Sequence, residues 1–199
     1  MIKRWGIPLS LLMILVGSSW FLERLILDTA QQRREIAQQK PDYSVDDFAT
    51  TAMDEMGLPK RRLKGKRMVH YAATDTSELE EPYLTFFAIE NRDIGKEFCT
   101  IHPVWHIKSE RGRVLNDGKI IFLLDKVHMW KSNDAGAMEV DIRTRNLKIL
   151  PESNYGETDE PATIRTVTSE TRGIGMRAHI DPGRMELLSQ IQTIYKEDL

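Results

Sequence analysis

Cysteine is almost missing from this sequence: Cys99 is the single thiol among 199 residues, which excludes a disulfide within the chain. No thiol lies near the apolar amino-terminal stretch, so a lipoprotein-type acylated anchor has no attachment atom there. An excess of one charge is lacking too, with 28 Lys and Arg against 30 Asp and Glu and a formal net charge of −2. No global field therefore draws the chain toward nucleic acid, and any anion site must be local. Helical periodicity is nearly absent after residue 41, which argues against the alternating strands and helices of a parallel sheet. There is no G-x-S-x-G elbow, no Walker A loop and no pair of catalytic carboxylates. The chain is read as a non-enzyme that does not hydrolyse ATP, so energy for directional work must come from a partner.

What is present begins with a long apolar run. Residues 5–22 carry no charge and follow Lys3 and Arg4. As a helix they would span roughly 27 Å, close to the hydrocarbon thickness of a bilayer. Trp5 and Trp20 would then sit near the two interfaces. A cleaved signal peptide competes, since Val16 and Ser18 are small, but Trp20, Phe21, Leu22, Leu25, Ile26 and Leu27 prolong the stretch past that point. The expectation is an uncleaved anchor and its tail over 1–27, a polar helical stalk over 28–40 ended by Pro41, and one β-domain over 41–199. Arg24, Arg33, Arg34 and Lys40 follow the span, so a count of positive charges does not orient it.

From Asp42 onward short apolar runs alternate with turn residues, the pattern of an all-β sandwich or barrel. Strands are expected at 48–53, 63–72, 83–89, 98–108, 120–130, 138–144, 162–168 and 176–180. Turns are expected at 57–59, 91–95, 116–118, 133–136, 154–156 and 181–183; Asn116-Asp117-Gly118 is a good tight hairpin. The tail after Gly183 fits a helix or a strand. Residues 121–128 match 185–192 in character, and each copy follows a Gly or Pro turn, so the tail is read as a strand in a repeated β-unit with free end edges.

Several local signals have competing readings. Six of the eight residues 60–67 are basic. Arg61, Arg62 and Lys64 could meet the phosphates of a lipid head group or an anionic membrane surface, or the run could be a solvated strand edge guarded by charge. Cys99, His102 and His106 have a zinc-like spacing. In an extended segment, residues four apart are separated by roughly 13 Å, so no metal or other cofactor is expected. Gly173-Ile174-Gly175 does not open a helix and marks a bulge or a close backbone approach rather than a dinucleotide loop.

Taken in order, Tyr43, Gly57, His70-Tyr71, Glu80-Glu81-Pro82 before an aromatic run, Trp105 through Gly112, Asn116-Asp117-Gly118, Thr144 through Leu147, Gly173 through Arg177 and Leu187 through Tyr195 resemble the LptC family over nearly the whole length. The sequence departs from that pattern at Asp125-Lys126, where relatives often carry glycine, and in the strongly basic 60–67 run. The resemblance implies a twisted periplasmic β-jellyroll behind one inner-membrane helix, with an interior that holds the acyl chains of lipopolysaccharide. It implies the transporter components LptB, LptF and LptG and the periplasmic bridge protein LptA as partners. By position, Phe48, Leu79 and Met185 would face the lipid path. Phe86, Phe122 and Leu124 join them as lipid-binding candidates because 83–89 and 120–124 are apolar on both strand faces. A doubly buried core strand is the plainer account of those runs. Leu187, Ile191 and Tyr195 would lie on the strand edge offered to the bridge protein. The alternative function is a membrane-anchored scaffold of an envelope complex that binds no lipid.

Overall fold

The computed structural model describes residues 40–90, 100–133, 137–180 and 183–196. The expected anchor and all of the stalk but Lys40 lie outside the described residues, as do the 91–95 turn, Phe98, Cys99, and residues 134–136 and 181–182 of two further turns. From Asp42 the chain forms one compact unit.

The described body is all-β. Its strands are β1 (Tyr43–Met53), β2 (Pro59–Tyr71), β3 (Thr76–Glu80), β4 (Tyr83–Glu90), β5 (Thr100–Leu115), β6 (Ile120–Ser132), β7 (Met138–Leu150), β8 (Tyr155–Thr166), β9 (Ser169–His179) and β10 (Arg184–Tyr195). They form one antiparallel sheet in the order β1-β2-β3-β5-β6-β7-β8-β9-β10, and β4 takes the place beside β3, between β2 and β5. The tail is thus a strand, and the two repeated segments fall in β6, inside the sheet, and β10, at its edge.

Most strands are longer than expected; β1 starts at Tyr43 and β2 at Pro59. β5 runs on to Leu115, β7 to Leu150, β8 starts at Tyr155 and β9 at Ser169. The polar stretches that hid these extensions, such as Arg111 through Arg113 and Tyr155 through Glu157, are held extended by pairing with neighbours on both sides, which overrides local propensity. β3 was not expected at all, because Ser77, Glu78 and Glu80 alternate with a single large apolar residue, Leu79.

The same polar stretches mark where the sheet bends. Positive φ occurs at Asp47 (49°), Glu81 (51°), Asp125 (66°), Asn146 (48°), Gly175 (76°) and Gln190 (51°). Register breaks fall beside them, at Ser109/Arg111, Leu123/Lys126, Arg143/Lys148, Thr158/Pro161 and Ser189/Gln192. Bulges of this kind bend a strand and raise its twist. Aligned in one row, they fold the sheet into two arms whose inner faces meet. Leu84, Phe86, Trp105, Ile107, Val127, Met129, Ile142 and Ala162 come from the first arm. Ile121, Leu123, Leu147, Ile149, Met176 and Ile180 come from the second, and all fourteen make one buried cluster.

Gly175 combines a bend with a close approach. Its φ is +76° and a Cβ there would lie 2.9 Å from the Leu188 side chain, while one on Gly173 would lie 3.1 Å from Cβ of Leu187. Both a bulge and the close backbone approach expected of this motif are present. Gly175→Ala is expected to cost about 1–3 kcal/mol from backbone strain alone and to loosen β10. Urea unfolding measures the first effect, and faster amide exchange confined to β10 the second.

Candidate binding groove

The central part of the interior is filled: Ile107, Leu123, Ile142, Ile149 and Met176 are fully buried. Toward the β1 edge it is not. A cavity of about 410 Å³ lies there between the arms, with Phe48, Leu63, Met68, Leu84, Val114 and Ile121 among its walls. That volume is in the range of small-molecule sites. The space exists because the side chains that should fill it are short. Thr50 and Ala52 alternate with Phe48 on the inward face of β1, and Ser77 takes an inward position on β3. Phe48 fits under a second constraint: Gly65 lies opposite it, and a Cβ on Gly65 would come within 2.5 Å of the phenyl ring.

A family model described as lipopolysaccharide-assembly, LptC-related, matches residues 9–196. The chain belongs to the LptC family. A role in lipopolysaccharide transport comes with that membership. No curated protein matches the chain significantly in sequence. Among solved structures, the crystal structure of LptH, described as the LptA homologous periplasmic component of the conserved lipopolysaccharide transport device from Pseudomonas aeruginosa, resembles it with a TM-score of 0.42 and 6% identity, over 81% of this chain and 99% of that one. That likeness is too distant to carry function.

The residues that the LptC resemblance singles out are dispersed along the interior. Phe48 is 9% exposed near the first edge, and Leu79 is 4% exposed over Gly112. Phe86 belongs to the central cluster, and Met185 packs half-buried against that cluster from the far edge. Phe122 and Leu124 go elsewhere. Ile121 and Leu123 take the inward positions of β6, so strand alternation turns Phe122 and Leu124 to the outer face, opposite Arg113 and Arg111. On β10, Leu187 packs against the core, whereas Ile191 and Tyr195 are 59% and 77% exposed on a strand that, among the described residues, pairs on one side only.

Alternation also divides the basic run. Arg62 and Lys64 lie on the outer face. Arg62 donates to Thr51 Oγ1 at 3.0 Å and its guanidinium lies 5.8 Å from the centre of the Phe87 ring. Beyond them, Lys66 pairs with Glu80 at 2.8 Å and with Glu81 at 3.8 Å. Arg61 alone turns inward, opposite Phe86. The cavity-lining role of Thr50, Ala52 and Ser77 was not anticipated, although the period-two spacing of 48, 50 and 52 carried the signal.

A second feature had no local signal because three strands contribute to it. On the outer face Tyr83, His106 and Trp130 stack with centroid separations of 5.9 and 5.1 Å, and His128 follows at 4.7 Å. Tyr83 Oη and His106 Nδ1 are 2.7 Å apart, and His128 Nε2 lies 2.5 Å from Asp141 Oδ2. The depression beside them, about 1200 Å³, is rimmed by Glu80, Glu110, Lys108, Arg111, Lys126 and Arg143. Its mixed charges suit polar contacts rather than acyl chains.

Burial pushes the His106 imidazole below the usual histidine range. The unfolded chain therefore binds this proton more readily than the folded one. Stability is retained above the unfolded value of about 6.5 and declines as pH falls through it, until the folded form protonates as well. The urea midpoint of the protein is expected to drop between about pH 7.5 and pH 5.5, and His106→Gln to flatten that slope. An unaltered slope in the variant would assign the effect to another group.

Proposed function

We propose that this LptC-family chain is a passive relay, which accepts lipopolysaccharide from the inner-membrane transporter formed by LptB, LptF and LptG and passes it to LptA for outer-membrane assembly. The observation that carries this reading is the mainly apolar cavity left open between the arms at the β1 edge, in a sheet whose two terminal strands pair on one side only among the described residues. Each CH₂ of a lipid exposed to water costs about 0.8 kcal/mol, so a 12-carbon chain costs on the order of 10 kcal/mol. An apolar slot is the least apparatus that lowers this cost during transit. Phe48, Leu79, Phe86 and Met185 form the inward line along which acyl chains would move, with Met185 a pliable wall at the exit. Strand edges on either side would add neighbouring jellyrolls by backbone hydrogen bonds. The anchor over 1–27 holds the body to the inner membrane, with the jellyroll in the periplasm.

The filled centre of the interior, where Ile107, Leu123, Ile142 and Met176 are fully buried, favours a second reading, the lipid-free scaffold. Under the relay reading the arms part as lipid passes. A photoreactive residue at Phe48, Leu79 or Met185 in intact cells should give a lipopolysaccharide adduct, and one at outward-facing Glu78 should not. Phe48→Arg and Met185→Asp should lower lipid capture and spare partner binding. No adduct at any of the three inward positions, with normal expression and partner capture, would leave the scaffold.

Met185 and Leu187 pack against the core, so removing the whole of β10 would damage the fold. Ending the chain after Ser189 removes only the exposed half, which includes Ile191 and Tyr195. This shortened protein is expected to lose capture of LptA in pull-down while retaining the Phe48 adduct. Undiminished capture would move the partner contact to another edge.

A further inference from the structure

Arg61 stands apart from the other cations of the described body. It occupies an inward position on β2, opposite Ala52 on β1 and Phe86 on β4, and it lines the apolar cavity beside Leu63 and Leu84. Arg67, Arg111, Arg113, Arg143, Arg165 and Arg172 each have a carboxylate within 4 Å. Among the described residues Arg61, like Arg62, Arg145 and Arg177, has none, and of these four it alone lines the cavity. Its one polar contact is a donation from Nη1 to the carbonyl oxygen of Pro151, at 3.5 Å, the outer limit of a hydrogen bond. Pro151 is buried at the tip of the second arm, so this contact crosses the opening between the arms.

A guanidinium presents five N–H donors in one plane, and its fork matches two oxygens of a phosphate or carboxylate. One long contact to a carbonyl leaves most of that capacity unused on an apolar wall, where an unpaired charge is unfavourable. A second cavity, about 490 Å³, contains Phe86 and Trp105, and its charged lining is Lys60 and Lys131 against Asp54; the Arg61 cavity carries one carboxylate, Asp117. Asn154 also borders the second cavity, and its Oδ1 is buried without a hydrogen-bond partner. An apolar floor, a fork-shaped cation and an acceptor that lacks a donor together fit an amphiphile with an anionic, hydroxylated head.

We propose that Arg61 recognises the anionic group on the polar head of the bound lipid, releasing the Pro151 carbonyl to pair with a phosphate at the opening while the acyl chains lie against the interior. Asn154 Oδ1 would accept from a hydroxyl of the same head. The assignment rests on the lipid-relay reading and adds a charge requirement to it. It separates Arg61 from Arg62 and Lys64, whose outward positions keep them from the groove.

The test uses the full-length chain in detergent and two probes: a hexa-acylated diphosphorylated glucosamine disaccharide lipid, and the same lipid with both phosphates removed. Wild type should bind the phosphorylated form more tightly. Arg61→Gln should weaken that binding roughly tenfold or more, the scale of a lost charge-assisted pair, and leave the phosphate-free form unchanged. Arg61→Lys, which keeps the charge and loses the fork, should fall between. Arg62→Gln and Lys64→Gln should retain the wild-type preference. Equal loss for both lipids in Arg61→Gln, or no loss for either, would reduce Arg61 to a structural contact between the arms. Equal capture of both lipids by wild type would overturn the Arg61 assignment alone. Capture of neither would overturn the relay reading along with it.

Discussion

Every strand that spans the sheet changes direction at the same level, and the rest of the molecule follows from that row of bends. A single antiparallel sheet has two faces and, left flat, no means of burying either. Positive φ at Asp47, Glu81, Asp125, Asn146, Gly175 and Gln190, with the register breaks beside them, turns one sheet into two arms that bury each other. The residues at the bends are mostly short and polar. Asn and Asp tolerate the left-handed region, and their polar groups are satisfied locally, as when Asn146 Oδ1 accepts from the Asp125 backbone. Side-chain pairs such as Arg111 with Asp125 at 2.8 Å also tie neighbouring bends together. The Asp125 carboxyl is held below its usual range by that hydrogen bond, but the pair is too exposed to contribute much stability.

Core and groove draw on the same inward positions. Where the inward residue is a large aliphatic, as at Leu123, Ile142 or Met176, the arms pack solidly. Where it is Thr50, Ala52 or Ser77, space remains. The cavity therefore owes its existence to a few side chains on β1 and β3 rather than to any separate element. Tight spacing at Gly65 below Phe48 and at Gly173 below Leu187 shows how closely the edge strands are fitted. Among the described residues both edges keep unpaired backbone groups, which ordinary sheet proteins shield. Here the β10 edge is left with exposed Ile191, Ile194 and Tyr195. An open end of this kind is a liability for a solitary protein and an asset for one that joins like domains.

Much of this was legible before any coordinates. The all-β class, the strand cores and the β-character of the tail follow from period-two patterning, from turn residues and from the match of 121–128 with 185–192. The family emerges from the order of many weak motifs. The strand extensions did not emerge, because Arg111 through Arg113 and Tyr155 through Glu157 read locally as loops. Only ladders on both sides hold them extended. Phe122 and Leu124 looked as suited to a lipid as Phe48, since a run apolar on both faces does not declare which face is inside.

The sequence by itself determined what kind of molecule this is: strand periodicity, near-neutral charge and the family pattern are properties of local order along the chain, and tertiary contacts do not change them. Only the tertiary structure decided which residues meet. Alternation assigns Arg61 to the interior and Arg62 and Lys64 to the outside once the register with β1 and β4 is set. The bend then brings Arg61 to Pro151, ninety positions away. Register and bend are long-range pairings, and a side chain's role in the groove depends on both.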